Sequence, residues 1–134
     1  MKKKRYLTSI INIFKGKNNK KGNILMISLQ SALEPTWSLY RISKWAIKGM
    51  IEGLAKVLLS YRIIVNGIEP GPTATNMQSY KDGDSIYTDQ TPLKRFTLPN
   101  EVEEFTLMLV SDFGQKIIGD TIYMSGGRGK IEKR

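Results

Sequence analysis

The 134-residue chain carries 40% hydrophobic and 25% charged side chains, the composition of one ordinary globular domain rather than a disordered one. It has no cysteine and no histidine, which excludes disulfides, thiolate nucleophiles and Ser-His or Cys-His catalysis, and leaves zinc without its usual ligands. Acid–base work therefore falls to Tyr, Lys, Asp or Glu, and the formal charge of +9 is a nucleic-acid signal only if it is spread over a surface.

The charge is concentrated at the start. Of 21 basic side chains, eight (Lys2, Lys3, Lys4, Arg5, Lys15, Lys17, Lys20 and Lys21) lie in residues 1–21, where there is no acid, so the 12 acidic residues face 13 basic ones in the rest. Residues 1–21 thus read as a basic arm on a nearly neutral body of residues 22–134. Such an arm attracts phosphates or an anionic membrane nonspecifically, or is simply solvated; no specific nucleic-acid partner is read. Within it Leu7, Ile10, Ile11 and Phe14 have the spacing of a short amphipathic helix. The apolar stretch is broken by Thr8, Ser9 and Asn12 and lacks a small-residue cleavage site, so no export signal is read and a cytoplasmic location is expected. No stretch approaches the ~20 apolar residues that span a bilayer.

"NILMIS" (Asn23 to Ser28) is an apolar run of strand length, followed by the loop "LQSALEPTWS". From Ser38 to Ser60, Leu39, Ile42, Ala46, Ile47, Met50, Ile51, Leu54 and Leu58 keep helical spacing. Tyr40 and Lys44, four apart, share one face of that helix. Gly49 and Gly53 have GxxxG spacing, which predicts close helix packing. "IIVNGI" (Ile63 to Ile68) reads as a β-branched strand ended by "EPGP", since proline cannot donate to a ladder. Pro70 to Leu98 has no clear period, and loops this long are often functional lids. Within it "DGD" (Asp82 to Asp84) reads as a turn rather than a metal site. Asn100 to Val110 is a helix, with Asn100 as its cap and Glu103 answering three residues on. "DTIYM" (Asp120 to Met124) is a short strand, and "GGRG" (Gly126 to Gly129) is its exit.

The order is a leading helix and then β-α-β-α-β, which implies an α/β fold with a parallel sheet and right-handed crossovers. A doubly wound nucleotide-binding fold is built from two such halves. The first half would carry a glycine-rich phosphate turn after its first strand. No glycine lies between Ser28 and Ser38, so the expected fold is the second, three-stranded half of a Rossmann-like sheet. Asn23 to Ser28 would then be a bare edge, open to another chain.

"GNILMIS", "YRISKWAIKGMIEGLAKVL", "IIVNGIEPGPTATNM", "TPLKRFTLPNEVEEFTLMLVSD" and "IIGDTIYMSGG" appear in this order. Together they resemble the C-terminal half of a short-chain dehydrogenase/reductase over roughly Gly22 to Gly127. The resemblance implies hydride transfer between NAD or NADP and a small-molecule carbonyl or alcohol. Tyr40 would exchange the proton on the substrate oxygen. A free phenol has a pKa of ~10, and a cation within ~4–6 Å, here Lys44, favours the phenolate. The resemblance also implies that Lys44 bonds the nicotinamide ribose, that Pro70, Gly71, Thr73 and Thr75 line the nicotinamide, and that the helix of residues 38–60 forms a homo-oligomer interface.

The departures are specific. The family's catalytic serine falls on Leu29, which has no hydroxyl; Ser28 or Ser31 would have to stand in, and losing such a donor typically costs ~10²–10³ in rate. Arg62 replaces a glycine after the long helix, and Glu69 replaces a small residue before Pro70. The family's glycine-rich turn, ribose selector and catalytic asparagine have no counterpart in these residues. Three readings follow: a truncated oxidoreductase inactive as an isolated chain, half of a split oxidoreductase completed by a complementary N-terminal half, or a basic-arm module that binds nucleic acid or membrane.

Overall fold

A computed structural model describes residues 21–28 and 37–131. The expected leading helix, most of the basic arm, Leu29 and Ser31 lie outside the described residues.

Three strands form one parallel sheet in the order β1 (Gly22–Ile27), β2 (Ile63–Pro70), β3 (Thr121–Met124). The long helix α1 (Leu39–Leu58) connects β1 to β2, and α2 (Pro99–Val110) lies between β2 and β3. This is the α/β half-sheet expected from the sequence. β2 is buried along nearly its whole length, as a central parallel strand covered on both faces must be.

Side-chain alternation assigns the two faces. Ile24 and Met26 from β1 and Ile63 and Val65 from β2 pack with Ile47, Ile51, Leu54, Ala55 and Leu58 of α1. The opposite face carries Asn23, whose side-chain amide donates to the Val110 carbonyl at 3.1 Å, so α2 lies on that side. Asn66 faces the same way: its amide donates to the Ile117 carbonyl at 2.6 Å and its Oδ1 accepts from Asp120 N–H at 3.2 Å. It fixes the entry of β3 against β2. Burying that amide is tolerable because both its ends are bonded.

Several local expectations shift. β2 continues two residues past Ile68 to Pro70, because Glu69 and Pro70 still pair with Tyr123 and Met124; a proline at the strand's end removes no ladder donor that β3 needs. α2 starts one residue earlier than expected, and its cap is Leu98 rather than Asn100. The carboxylate of Glu101, not Glu103, accepts from Leu98 N–H at 2.7 Å, because Pro99 occupies the first helical position. Among the described residues, a Cβ at Gly49 or Gly53 would meet nothing within 4 Å, so no described element packs against these glycines. Arg62 closes α1 and its 3-10 extension (Leu59–Tyr61) in the left-handed region, at φ 60°, the conformation for which glycine is the usual residue.

The long segment after β2 is folded on itself. Thr73 bridges Thr97, Tyr87 bridges Arg95, and Tyr80 meets Phe96 edge to face at 6.1 Å. "DGD" is a turn in which Lys81 N–H donates to Asp84 Oδ2 at 2.9 Å and Asp84 N–H to the Lys81 carbonyl at 3.0 Å. Leu93 N–H donates to the Gly126 carbonyl at 3.0 Å, tying the loop to the turn after β3.

Candidate active site

Parallel strands end together, so the carboxyl ends of β1, β2 and β3 form one rim, where ligands of such sheets collect. Ser28 follows β1, Pro70 ends β2 and Ser125 follows β3. The N-terminal half of α1 passes over this rim. Ser28 N–H donates to the Ile68 carbonyl at 2.9 Å, and its hydroxyl donates to the Lys44 carbonyl at 3.1 Å. The serine next to the expected position is therefore committed to holding α1, with its side chain buried.

Tyr40 and Lys44 lie on one face, with the Lys44 ammonium 5.6 Å from the centre of the Tyr40 ring. Tyr40 is 56% exposed, so the pair opens to solvent rather than into the core. The helix at this point is closed by its own backbone and by Ser43, whose hydroxyl donates to the Tyr40 carbonyl at 2.6 Å.

Pro70 to Thr75 form a second group. Gly71 N–H donates to the Met124 carbonyl at 3.0 Å, and a Cβ there would press on the Ser125 backbone at 3.1 Å. Glycine is required for that approach of chain to chain. Thr73 donates to the Gly71 carbonyl at 3.0 Å and Thr75 to the Thr73 carbonyl at 3.4 Å, so both hydroxyls brace the ledge they stand on.

Sequence reasoning marked Glu69 only as a departure and passed over Lys48 and Tyr123. Glu69 is 1% exposed, and among the described residues neither carboxylate oxygen has a hydrogen-bond partner. Burial pushes its carboxyl above the usual range, and the Ser28 hydroxyl and the Lys48 charge oppose this without overcoming it. Lys48, one turn after Lys44, donates to the Tyr123 hydroxyl at 3.3 Å, and that contact holds its ammonium above the ordinary lysine value. No local sequence signal marks them: the pairing register, which the fold sets, brings Glu69 opposite Tyr123. Clefts lined by Gln90, Pro92, Arg128, Gly129 and Ile131, of about 280 Å³, and by Glu52, Ala55, Lys56, Leu59, Ile118 and Gly119, of about 220 Å³, include neither Tyr40 nor Lys44. No helix among the described residues is long and apolar enough to cross a membrane.

A family model described as "Enoyl-(Acyl carrier protein) reductase" matches residues 7–128. The chain is 37% identical over 116 residues to glucose 1-dehydrogenase 2 of Bacillus subtilis, covering 83% of itself and 45% of that protein. 4-Hydroxyisoleucine dehydrogenase, solved with NADH, superposes with a TM-score of 0.75 at 26% identity, covering 89% of this chain and 51% of that one. The 3-ketoacyl-(acyl-carrier-protein) reductase of Brucella melitensis, also solved with NADH, shares the fold at a TM-score of 0.76 and 23% identity, covering 95% of this chain and 51% of that one. The chain spans about half the length of the relatives it matches. With Tyr-x-x-x-Lys on α1, the parallel half-sheet beneath it and these matches, it belongs to the short-chain dehydrogenase/reductase family.

Proposed function

We propose that the chain supplies the proton-transfer half of an NAD(P)-dependent oxidoreductase acting on a small carbonyl or alcohol. The observation that carries this is the Lys44 ammonium 5.6 Å from the Tyr40 ring on the face of α1 that opens at the strand ends. Tyr40 exchanges the proton at the substrate oxygen. Lys44 holds its positive charge beside the Tyr40 ring. Ser28 serves through its bond to the Lys44 carbonyl and not as a substrate donor.

The residues present fit the nicotinamide end of the cofactor: a cation for the ribose hydroxyls, and the Pro70–Thr75 ledge braced at the rim with Gly71 tight against Ser125. NAD or NADP, when bound, would supply the hydride. The adenosine end has no partner here, because the β1–α1 connection lacks the glycines that let a backbone approach a pyrophosphate. A complementary N-terminal half would provide that turn and would pair with the outer edge of β1, where Ile27 is 58% exposed. Self-association through α1 is supported by its open face, on which Trp45 and Met50 are about half exposed and Gly49 and Gly53 meet nothing.

The experiment is coexpression of the chain with a polypeptide carrying a glycine-rich β-α-β-α-β half. NAD(P)-dependent turnover in the mixture, absent from either part and abolished by Tyr40→Phe and Lys44→Met, supports the reading. Turnover that survives both substitutions rejects it.

A further inference from the structure

The last rung of the sheet beneath α1 is polar across all three strands. Ser28 follows the Ile27–Ile68 pair and so stands beside Glu69, and Glu69 pairs with Tyr123. Paired residues of parallel strands project to the same face, and here that face is covered by α1. From above, the Lys44 carbonyl accepts from Ser28 Oγ at 3.1 Å, and Lys48 Nζ donates to the Tyr123 hydroxyl at 3.3 Å. Ser28 is 5% and Glu69 1% exposed, and both Glu69 oxygens are without a hydrogen-bond partner among the described residues.

Counting protons resolves the rung. Ser28 has one hydroxyl hydrogen, and the Lys44 carbonyl takes it; its oxygen keeps lone pairs free. Burying an ionised carboxylate at Glu69 costs hydration that the Ser28 hydroxyl and the Lys48 charge do not make up, a cost that buried groups avoid by neutralising. A carboxylic acid, by contrast, has one hydrogen to give, and the adjacent Ser28 oxygen is an acceptor.

We propose that Glu69 is a positioning residue for the Tyr40–Lys44 pair: its carboxylic acid donates to Ser28 Oγ, and Ser28 in turn holds the Lys44 carbonyl, fixing the turn of α1 that carries both side chains. Its consequence for catalysis rests on the proton-transfer reading given above; its hydrogen bonds do not. The groups around the rung are Ser28 from β1, Lys48 from α1 with Glu52 acting on it, Tyr123 from β3, and Lys130, whose ammonium is 4.9 Å from the centre of the Tyr123 ring. Lys48 donates to Tyr123, and among the described residues no hydrogen bond joins its ammonium to the Glu69 carboxyl. Burial of Glu69 favours the un-ionised acid that this arrangement needs.

The test is carbon-13 NMR of the full chain labelled at glutamate and tyrosine. The Glu69 carboxyl signal, identified by its loss in Glu69→Gln, is followed from acid to neutral pH. The expected result is an un-ionised carboxyl at neutral pH; an ionised one overturns the proposal. The pH profile of the Tyr40 ring signal, identified with Tyr40→Phe, is then compared across variants. Glutamine still donates to Ser28, so Glu69→Gln keeps the wild-type profile. Glu69→Leu and Ser28→Ala cut the same link and move the profile in the same direction. Profiles unmoved in both, with folded circular-dichroism spectra, overturn the proposal. If a variant does not fold, the wild-type carboxyl titration decides alone. Failure of the oxidoreductase reading registers separately, as absent NAD(P)-dependent turnover, which neither measurement uses.

Discussion

Arg95 grips Glu101 with both terminal guanidinium nitrogens, at 2.8 and 2.6 Å, while the same carboxylate accepts from Leu98 N–H at 2.7 Å. The long loop and the start of α2 are thereby joined at one carboxylate. The pair is about one-third exposed, so solvent weakens the charge attraction, but the backbone bond also satisfies a helix-terminal donor that would otherwise have no partner.

Glu101→Ala should therefore cost about 1 kcal/mol at neutral pH, the usual scale for a lost helix-terminal bond. The Arg95 and Leu98 hydrogen bonds hold the Glu101 carboxyl at about 2, below its ordinary value of 4.5. A depressed folded-state value contributes stability that is present above the unfolded value and lost as pH falls through the folded one. The difference between wild type and variant should shrink between pH 4.5 and about 2. Urea denaturation at a series of pH values measures it.

Glu69 has the opposite sign. Its carboxyl is raised above 4.5 by burial, so the folded chain binds a proton that the unfolded chain releases. Stability then falls as pH rises above 4.5, by up to about 1.4 kcal/mol per pH unit until the folded-state value is passed. Glu69→Gln removes that slope. Its melting temperature should exceed that of the wild type at neutral pH and approach it in acid, as thermal scans across pH would show.

Arg62→Gly should stabilise the chain by about 0.5–1 kcal/mol. Arg62 sits at φ 60°, a conformation that strains an L side chain by roughly 1–2 kcal/mol, partly offset by the greater unfolded-state freedom of glycine. Its backbone bonds, from Arg62 N–H to the Leu59 carbonyl and from Gly22 N–H to the Arg62 carbonyl, are unaffected by the change. A thermal melt that drops on this substitution contradicts the reading of the cap.

Gly114→Ala should be severe. A Cβ at this buried glycine would overlap the Leu109 carbonyl group, which is backbone of α2 and cannot rotate aside. Separating the 3-10 turn (Asp112–Lys116) from the end of α2 would loosen the approach to β3. A loss of about 2 kcal/mol or more is expected, on the scale of core overpacking. Gly49→Ala is the control: nothing lies within reach of its Cβ, and alanine's helix propensity should raise stability by up to about 1 kcal/mol.

Much of the fold was legible along the chain because its signals are local. The β-branched run at Ile63, the helical spacing from Leu39 to Leu58 and the turn at Asp82–Asp84 depend on neighbours a few residues away, and all three are in place. Arg62 was marked only through the resemblance, as the residue standing where the family has glycine after the long helix, and it does adopt the left-handed region. The cap of α2 was misread because Asn100 and Glu103 fit the usual capping pattern, which Leu98 does not; Pro99 at the first helical position and the Arg95 grip on Glu101 put the cap at Leu98.

By itself the sequence determined the element order, the parallel sheet and the pairing of Tyr40 with Lys44, since helical pitch alone puts residues four apart on one face. Only the tertiary structure decided which groups meet across elements. Residues 28, 44, 48, 69 and 123 are distant in the chain and become neighbours through strand register and the height of one helix above a rim. Burial is set by that assembly, and it is burial that raises the Glu69 carboxyl above its ordinary value.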